Sequence, residues 1–330
     1  MGTVAITGAA GYIGQRLIET LEGTDGCSHI LGTDIRDPSV ESSKLVFMKA
    51  DIRDPSLADS WKGRDVETLV HLAFIVDPMH DEGEMYDINV NGTLNVLKIC
   101  GDLGIGHVIV ASSGVAYGAW PDNPEPLKED DPIRVFPPSM NYAHHKGVNE
   151  GHFADFMRRN PKVLFNIVRP AVVYGPNTDN YLSRFFGRLP VVPLTDGLDP
   201  NLQVVHEEDV ARFFALLIEK KVPGAFNLAG DGVMRLSEAG AMIGRSTMKV
   251  PKGLITAFAR LCWRLRIILE APPGIVDYMA YPWVLDTTRA REQLGFTPRY
   301  STEETVRIMF ETHGYALKDY SSENHSARAR

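Results

Sequence analysis

The segment TVAITGAAGYIGQRL, residues 3–17, carries a β-branched run directly into glycines at 8, 11 and 14 and then into a helix-like stretch. Glycines at a strand-to-helix junction let backbone N–H groups come close to a phosphate, with the positive end of the helix dipole behind them. The same alternation continues: HILGTDI (29–35), LVFMKADI (45–52), TLVHLAF (68–74), HVIVASS (107–113), FNIVRPAVV (165–173) and AFNLAG (225–230) read as apolar strands between helical stretches. Continuous apolar strands alternating with helices predict a parallel sheet covered on both faces.

The glycine spacing is G-x-x-G-x-x-G, one residue wider at the start than the usual dinucleotide fingerprint. Its context carries the assignment, because the second strand ends in Asp34, a carboxylate placed to accept hydrogen bonds from a ribose 2′-hydroxyl. A carboxylate there repels a 2′-phosphate, so NAD is expected rather than NADP, with Arg36 nearby. The expected fold is α/β, a Rossmann-type doubly wound parallel sheet. Residues 1–175 are assigned to it, with strands at about 200–230 returning to it. From about residue 175, prolines at 176, 190, 193 and 200 break the pattern, and 176–320 are assigned mainly to a smaller substrate-binding lobe, with 321–330 a flexible tail.

With 330 residues, 44% hydrophobic, the chain can bury a large core. A formal charge of −8 argues against nucleic acid and for a small-molecule partner. Cys27, Cys100 and Cys262 suggest neither a disulfide framework nor a zinc site, and no leader is expected ahead of the first strand. A cytoplasmic protein without a membrane span or metal is the expectation. Residues 253–271, GLITAFARLCWRLRIILEA, place Phe258, Leu261, Cys262, Leu265 and Leu269 on a face away from Arg260 and Arg264. The stretch reads as an amphipathic surface or lobe helix ahead of a membrane-surface anchor, with the wall of an apolar pocket as an intermediate reading.

The second constellation is NYAHHK (141–146), in which Tyr142 and Lys146 share a helix face. A free phenol titrates near 10, but an adjacent ammonium and a cationic nicotinamide both favour the phenolate, making Tyr142 a candidate acid/base. VIVASSGVAYG (108–118) ends a strand in Ser112 and Ser113, hydroxyls that could hold a substrate oxygen beside that phenol. His144 and His145 point away from the shared face, His206 is read as structural, and Glu207, Glu208 and Asp209 as a helix start.

In order along residues 3–315, these features resemble the extended short-chain dehydrogenases/reductases, the NAD-dependent epimerase/dehydratase superfamily. The resemblance rests on TGAAGYIG, Asp34, ADIRD (50–54), HLAF (71–74), NVNGT (89–93), SSGVAYG (112–118), Tyr142 with Lys146, RPAVVYGP (169–176), VVHEEDVA (204–211) and LGFTP (294–298). It implies that Ser113 holds the substrate hydroxyl, Tyr142 moves the proton, and Lys146 anchors the nicotinamide ribose and lowers the phenol's pKa. The implied NAD contacts are Gly8, Gly11, Tyr12, Ile13 and Gly14 at the loop, Asp34, then Asp51 and Ile52 against the adenine. Leu72 and Ala73 would lie near the phosphates, and Pro170 and Val172 near the nicotinamide. It also implies a homodimer built from helices 86–100 and 142–159, to which Phe153, Phe156 and Met157 would add apolar surface.

Departures from the family pattern narrow the chemistry. Gly114 and Val115 stand where dehydratases carry an Asp-Glu pair. Leu202 stands where UDP-sugar epimerases carry a diphosphate-gripping Arg, and GIVDYMAYPW (274–283) lacks a second such Arg. Phe185, Phe186, Tyr278, Tyr281 and Trp283 instead suggest an apolar lobe, with Arg184 or Arg188 as substitute cations. The expected activity is an NAD-dependent oxidoreductase acting on a secondary alcohol or ketone. The alternatives are a nucleotide-sugar 4-epimerase and a non-catalytic dinucleotide sensor.

Overall fold

The computed structural model describes residues 2–24, 26–178, 181, 184, 190–267 and 272–318. Its strands are β1 (Thr3–Thr7), β2 (His29–Asp34), β3 (Leu45–Lys49), β4 (Val66–His71), β5 (His107–Ala111), β6 (Leu164–Pro170), β7 (Val172–Tyr174), β8 (Val192–Thr195), β9 (Asn201–Leu202), β10 (Val204–His206), β11 (Gly224–Leu228), β12 (Met234–Arg235) and β13 (Thr247–Val250). The main sheet has the order β3-β2-β1-β4-β5-β6-β11, every neighbouring pair parallel. This is the doubly wound arrangement that the alternating apolar strands predict, and its strand order reverses between β1 and β4, where a crevice opens at the strands' C-terminal ends. The remaining strands form three two-stranded pairs: β7 with β10, β9 with β12, and β8 with β13.

The helices that matter below are α1 (Tyr12–Glu22), α2 (Leu57–Trp61), α3 (Glu82–Tyr86), α4 (Gly92–Leu103), α5 (Asn141–Arg159), α6 (Glu207–Lys220), α7 (Leu236–Met242) and α8 (Lys252–Arg264). One face of the sheet is covered by α1 and α6, whose Leu17, Ile18, Phe213 and Leu217 are fully buried. The other is covered by α4 and α5, through Val96, Ile99 and Phe153. Strands with two covered faces need apolar residues at successive positions, and each buried Leu or Phe contributes about 1.5–3 kcal/mol. α6 starts at Glu207, with the His206 side chain accepting from Glu208 N at 3.2 Å as its N-cap.

Three expectations are corrected. Residues 165–173 are two strands: Pro170 has no N–H to extend the ladder, and beyond it the chain leaves the main sheet to pair with β10. The helix expected over 86–100 is interrupted by a π-turn, Asp87–Asn91, between α3 and α4. Phe153 and Phe156 pack on Phe165 of their own chain at centroid distances of 5.9 and 5.5 Å, so they offer no surface to a second copy. Phe185, Phe186, Arg188, Leu269 and the 321–330 tail lie outside the described residues. Among the described residues no helix is long and apolar enough to cross a membrane.

Candidate active site

The site is built at the β1/β4 crevice. Gly8 adopts φ +74°, and a Cβ there would stand 2.6 Å from the Ala73 amide nitrogen, so only glycine lets β1 exit this close to the end of β4. A Cβ on Gly14 would collide with the Gly8 carbonyl, which fixes how tightly α1 packs on the turn. A Cβ on Gly11 would meet only the Gly8 carbonyl, at 3.2 Å, so the approach to the loop stays open on that side. Tyr12 and Ile13 begin α1 and are half-buried. Leu72 N donates to Thr7 O at 3.0 Å, placing Leu72 and Ala73 across from the loop.

At the tip of β2, Asp34 accepts from Ala10 N at 3.0 Å and Arg36 N at 3.1 Å, so one carboxylate holds the glycine loop while lying beside it. The bare loop backbone, the positive end of α1 and this carboxylate fit an adenine dinucleotide. Asp51 is held by Arg53, which also reaches Asp87, and this pairing keeps the Asp51 carboxyl below the usual range. Ile52 is buried under Gly92 of α4.

On the other side of the crevice, Tyr142 and Lys146 project from one face of α5, as their spacing predicts. The Lys146 ammonium donates to Ala111 O at 2.7 Å and sits 3.5 Å from the centroid of Phe74, whose ring meets Tyr142 edge-on at 5.6 Å. Tyr142 shares a hydrogen bond with Ser113, whose oxygen also accepts from Val115 N. Burial lowers Lys146 to about 7, opposed by Glu150, and the same burial pushes the Tyr142 phenol up to about 12 against the Ser113 hydrogen bond. Desolvation is the largest cause for both groups, because burial disfavours the phenolate and the ammonium alike.

Two buried networks behind these residues escape sequence reading. Glu150, one turn beyond Lys146, accepts from Ser112 Oγ at 2.6 Å and pairs bidentately with Arg169, both bonds 2.9 Å. Arg169 continues to the Tyr117 hydroxyl at 2.7 Å and the Glu129 carbonyl at 2.9 Å. The spacing Lys146-x-x-x-Glu150 was the available signal. The second network runs through the π-turn. There the Asn89 amide accepts from Ile75 N at 2.7 Å and donates to Ile75 O at 3.0 Å, pinning the chain that follows β4. Below it, His71 bridges Thr7 and Thr93 and is held neutral by burial, down to about 3.

Pro170 is buried at the end of β6, whereas Val172 helps line an apolar cavity of about 120 Å³. Leu202 lines the same cavity with Tyr174, Tyr278, Met279 and Trp283. Tyr278 also donates to Val115 O at 2.8 Å and belongs to the aromatic cluster against which Tyr142 packs, joining the cavity to the Ser113/Tyr142 pair. Arg184 is paired with Asp77 at 2.6 Å, and Lys252 with Asp277 at 2.6 Å and with the Tyr281 hydroxyl at 3.0 Å. His144 bonds the Phe136 carbonyl, His145 contacts Asn89, and His206 stacks on Tyr300 at 3.9 Å. No group of metal-ligating side chains occurs among the described residues.

Residues 4–229 match the family model described as "NAD dependent epimerase/dehydratase family". An uncharacterized protein of Mycobacterium tuberculosis is 29% identical over 318 residues, spanning 94% of this chain and 84% of the relative. Among solved structures, a UDP-glucose 4-epimerase of Thermotoga maritima with UDP-glucose superposes with a TM-score of 0.71 at 20% identity, covering 94% of this chain and 98% of that one. MoeE5 in complex with UDP-glucose and NAD superposes equally well, with a TM-score of 0.71 at 25% identity, covering 94% and 98%.

Proposed function

The chain belongs to the NAD-dependent epimerase/dehydratase family, and from that premise we propose that it is an NAD-dependent oxidoreductase acting on a secondary alcohol or ketone of apolar character. One observation carries the substrate class: the apolar cavity lined by Leu202 and Trp283 has no Lys or Arg among its lining residues, where a diphosphate would need cations. A diphosphate placed there without partners would be costly to desolvate.

When bound, NAD supplies a hydride acceptor and a positive charge at the nicotinamide. Gly8, Gly11 and Gly14 with the start of α1 are assigned to its diphosphate, Asp34 to the adenosine ribose, Ile52 to the adenine edge and Lys146 to the nicotinamide ribose. Ser113 orients the substrate oxygen by hydrogen bonding. Tyr142 would take the carbinol proton as its phenolate, and would return it as the phenol in the reverse direction. The Phe74 ring and buried Lys146 exclude water from the phenol's other side.

Two measurements test these assignments. Asp34→Ala is expected to weaken NAD roughly tenfold or more, the scale of one charge-assisted hydrogen bond, and to narrow the preference over NADP. Equal NAD and NADP binding by the unaltered chain would show that Asp34 does not select the cofactor. Calorimetric titration of the NAD-bound protein with UDP-galactose tests the substrate class. Two missing charge-assisted contacts, each about 1.5–3 kcal/mol, should weaken binding by roughly a hundredfold or more relative to a site that has them. Micromolar affinity would instead restore the 4-epimerase reading, which the likeness to UDP-sugar enzymes keeps in view.

A further inference from the structure

Helix α8 exposes the side that a soluble helix normally buries. Leu254, Phe258, Leu261, Leu265 and Ile267 are each between 54% and 66% exposed, while Cys262, beside Phe258 at the edge of that face, is buried and Trp263 is half-buried on the opposite side. At 100° per residue, Leu254, Phe258, Leu261 and Leu265 fall within an arc of about 60°. Arg264 and Arg260 lie about 60° and about 100° beyond one edge of that arc, and both are exposed, as are Arg266 and Lys249. Residues 239–269 contain six Lys or Arg and no Asp or Glu, in a chain whose net charge is −8. The helix is fixed from behind: Lys252 pairs with Asp277, and the Trp263 ring stacks on His80 at 4.1 Å. The apolar row therefore stands on a rigid support among the described residues.

We propose that α8 is a docking surface for an anionic lipid membrane, lying in the plane of the interface with Leu254, Phe258, Leu261 and Leu265 inserted among the acyl chains and Arg260, Arg264 and Arg266 at the headgroups. The choice of occupant rests on charge. An apolar stripe alone would suit a second copy of the chain equally well, but a stripe with cations along one side and no carboxylate in the segment 239–269 meets its own like charge in a symmetric dimer and opposite charge at an anionic bilayer. Docking has a geometric consequence for the site. His80, on which Trp263 stacks, belongs to the segment after β4 that also carries Phe74 and Asp77, and Asn141 at the start of α5 donates to Met79 O in that segment at 3.4 Å. That segment meets α8 on the Trp263 side, so a membrane held at the apolar row lies across the helix from it. This placement does not depend on which substrate the site accepts.

The test is co-sedimentation of the full-length protein with vesicles of phosphatidylcholine alone or with 30 mol% phosphatidylglycerol. Partitioning into the anionic vesicles at least tenfold above the neutral ones, falling as salt is raised, is expected. Both Phe258→Gln/Leu261→Gln and Arg260→Gln/Arg264→Gln should lose at least tenfold of it while keeping the thermal midpoint and NAD binding of the unaltered chain. Absence of vesicle binding overturns the proposal, as does a Phe258→Gln/Leu261→Gln variant that binds as well as the parent. A parent that is dimeric in light scattering, fails to bind vesicles, and becomes monomeric in that variant overturns it in favour of a second copy.

Discussion

Tyr142→Phe should bind NAD with unchanged affinity and turn over at least about a hundredfold more slowly, the scale of a positioned proton donor or acceptor, equal to about 2.7 kcal/mol of barrier. The substitution removes one oxygen and little else. The ring keeps its edge contact with Phe74 at 5.6 Å, and Ser113 still accepts from Val115 N, so the pocket should not collapse. The size of the effect follows from the electrostatics of the site. Burial holds the phenol up at about 12 while it brings Lys146 down to about 7, and the positive charge that bound NAD would add favours the phenolate. NAD titration beside steady-state turnover of the purified variant checks this. Turnover equal to the parent would remove Tyr142 from the chemistry.

Glu150→Ala should be the most destabilising single change around the site. Arg169 is only 6% exposed, and without Glu150 two of its nitrogens lose their acceptors inside the protein. Stranding a buried charge in this way costs about 3–5 kcal/mol, whereas replacing both partners with apolar side chains of similar volume is often neutral. At about 2.1 cal/mol/K of unfolding entropy per residue, a chain of 330 residues should lose roughly 4–7 °C of thermal midpoint. The double variant Glu150→Leu/Arg169→Met should recover most of that loss, and the coupling between the two positions can be read from the cycle. A midpoint unchanged in Glu150→Ala would mean that water or another group satisfies Arg169. Calorimetric or fluorescence-monitored unfolding at neutral pH reads both variants.

The way the sheet was legible shows where local sequence suffices. Strands covered on both faces must be apolar throughout, so β1, β2, β4 and β5 stand out as runs, and the glycines at 8, 11 and 14 mark a turn where backbone passes close to backbone. The Tyr142/Lys146 pair was legible for the same reason: four residues on a helix make one face, whatever surrounds it. The start of α6 at Glu207 follows equally from local capping and acidic first-turn chemistry. Asp34 is local too, the last residue of the second strand.

Contacts between distant segments were not written locally. Arg169 meets Glu150 across 19 positions and Tyr117 across 52, and Asn89 clamps the backbone of Ile75 by forcing a π-turn into a helix that periodicity alone would run straight through. The cavity beside Leu202 draws on residues from 172 to 310, and no window of sequence contains both walls. The direction of the Tyr142 shift had the same origin. Spacing places a lysine near the phenol, but the balance between that charge and desolvation depends on how much of the fold closes over both. The amphipathic pattern of α8 is visible in the residues, yet whether its apolar face turns inward or outward is fixed by the far side of the helix, where Lys252 and Trp263 find Asp277 and His80. Sequence determined the elements and the groups they carry, because those follow from periodicity and near neighbours. Tertiary structure decided which groups share a low-dielectric interior and which face water, because burial is a property of the whole chain.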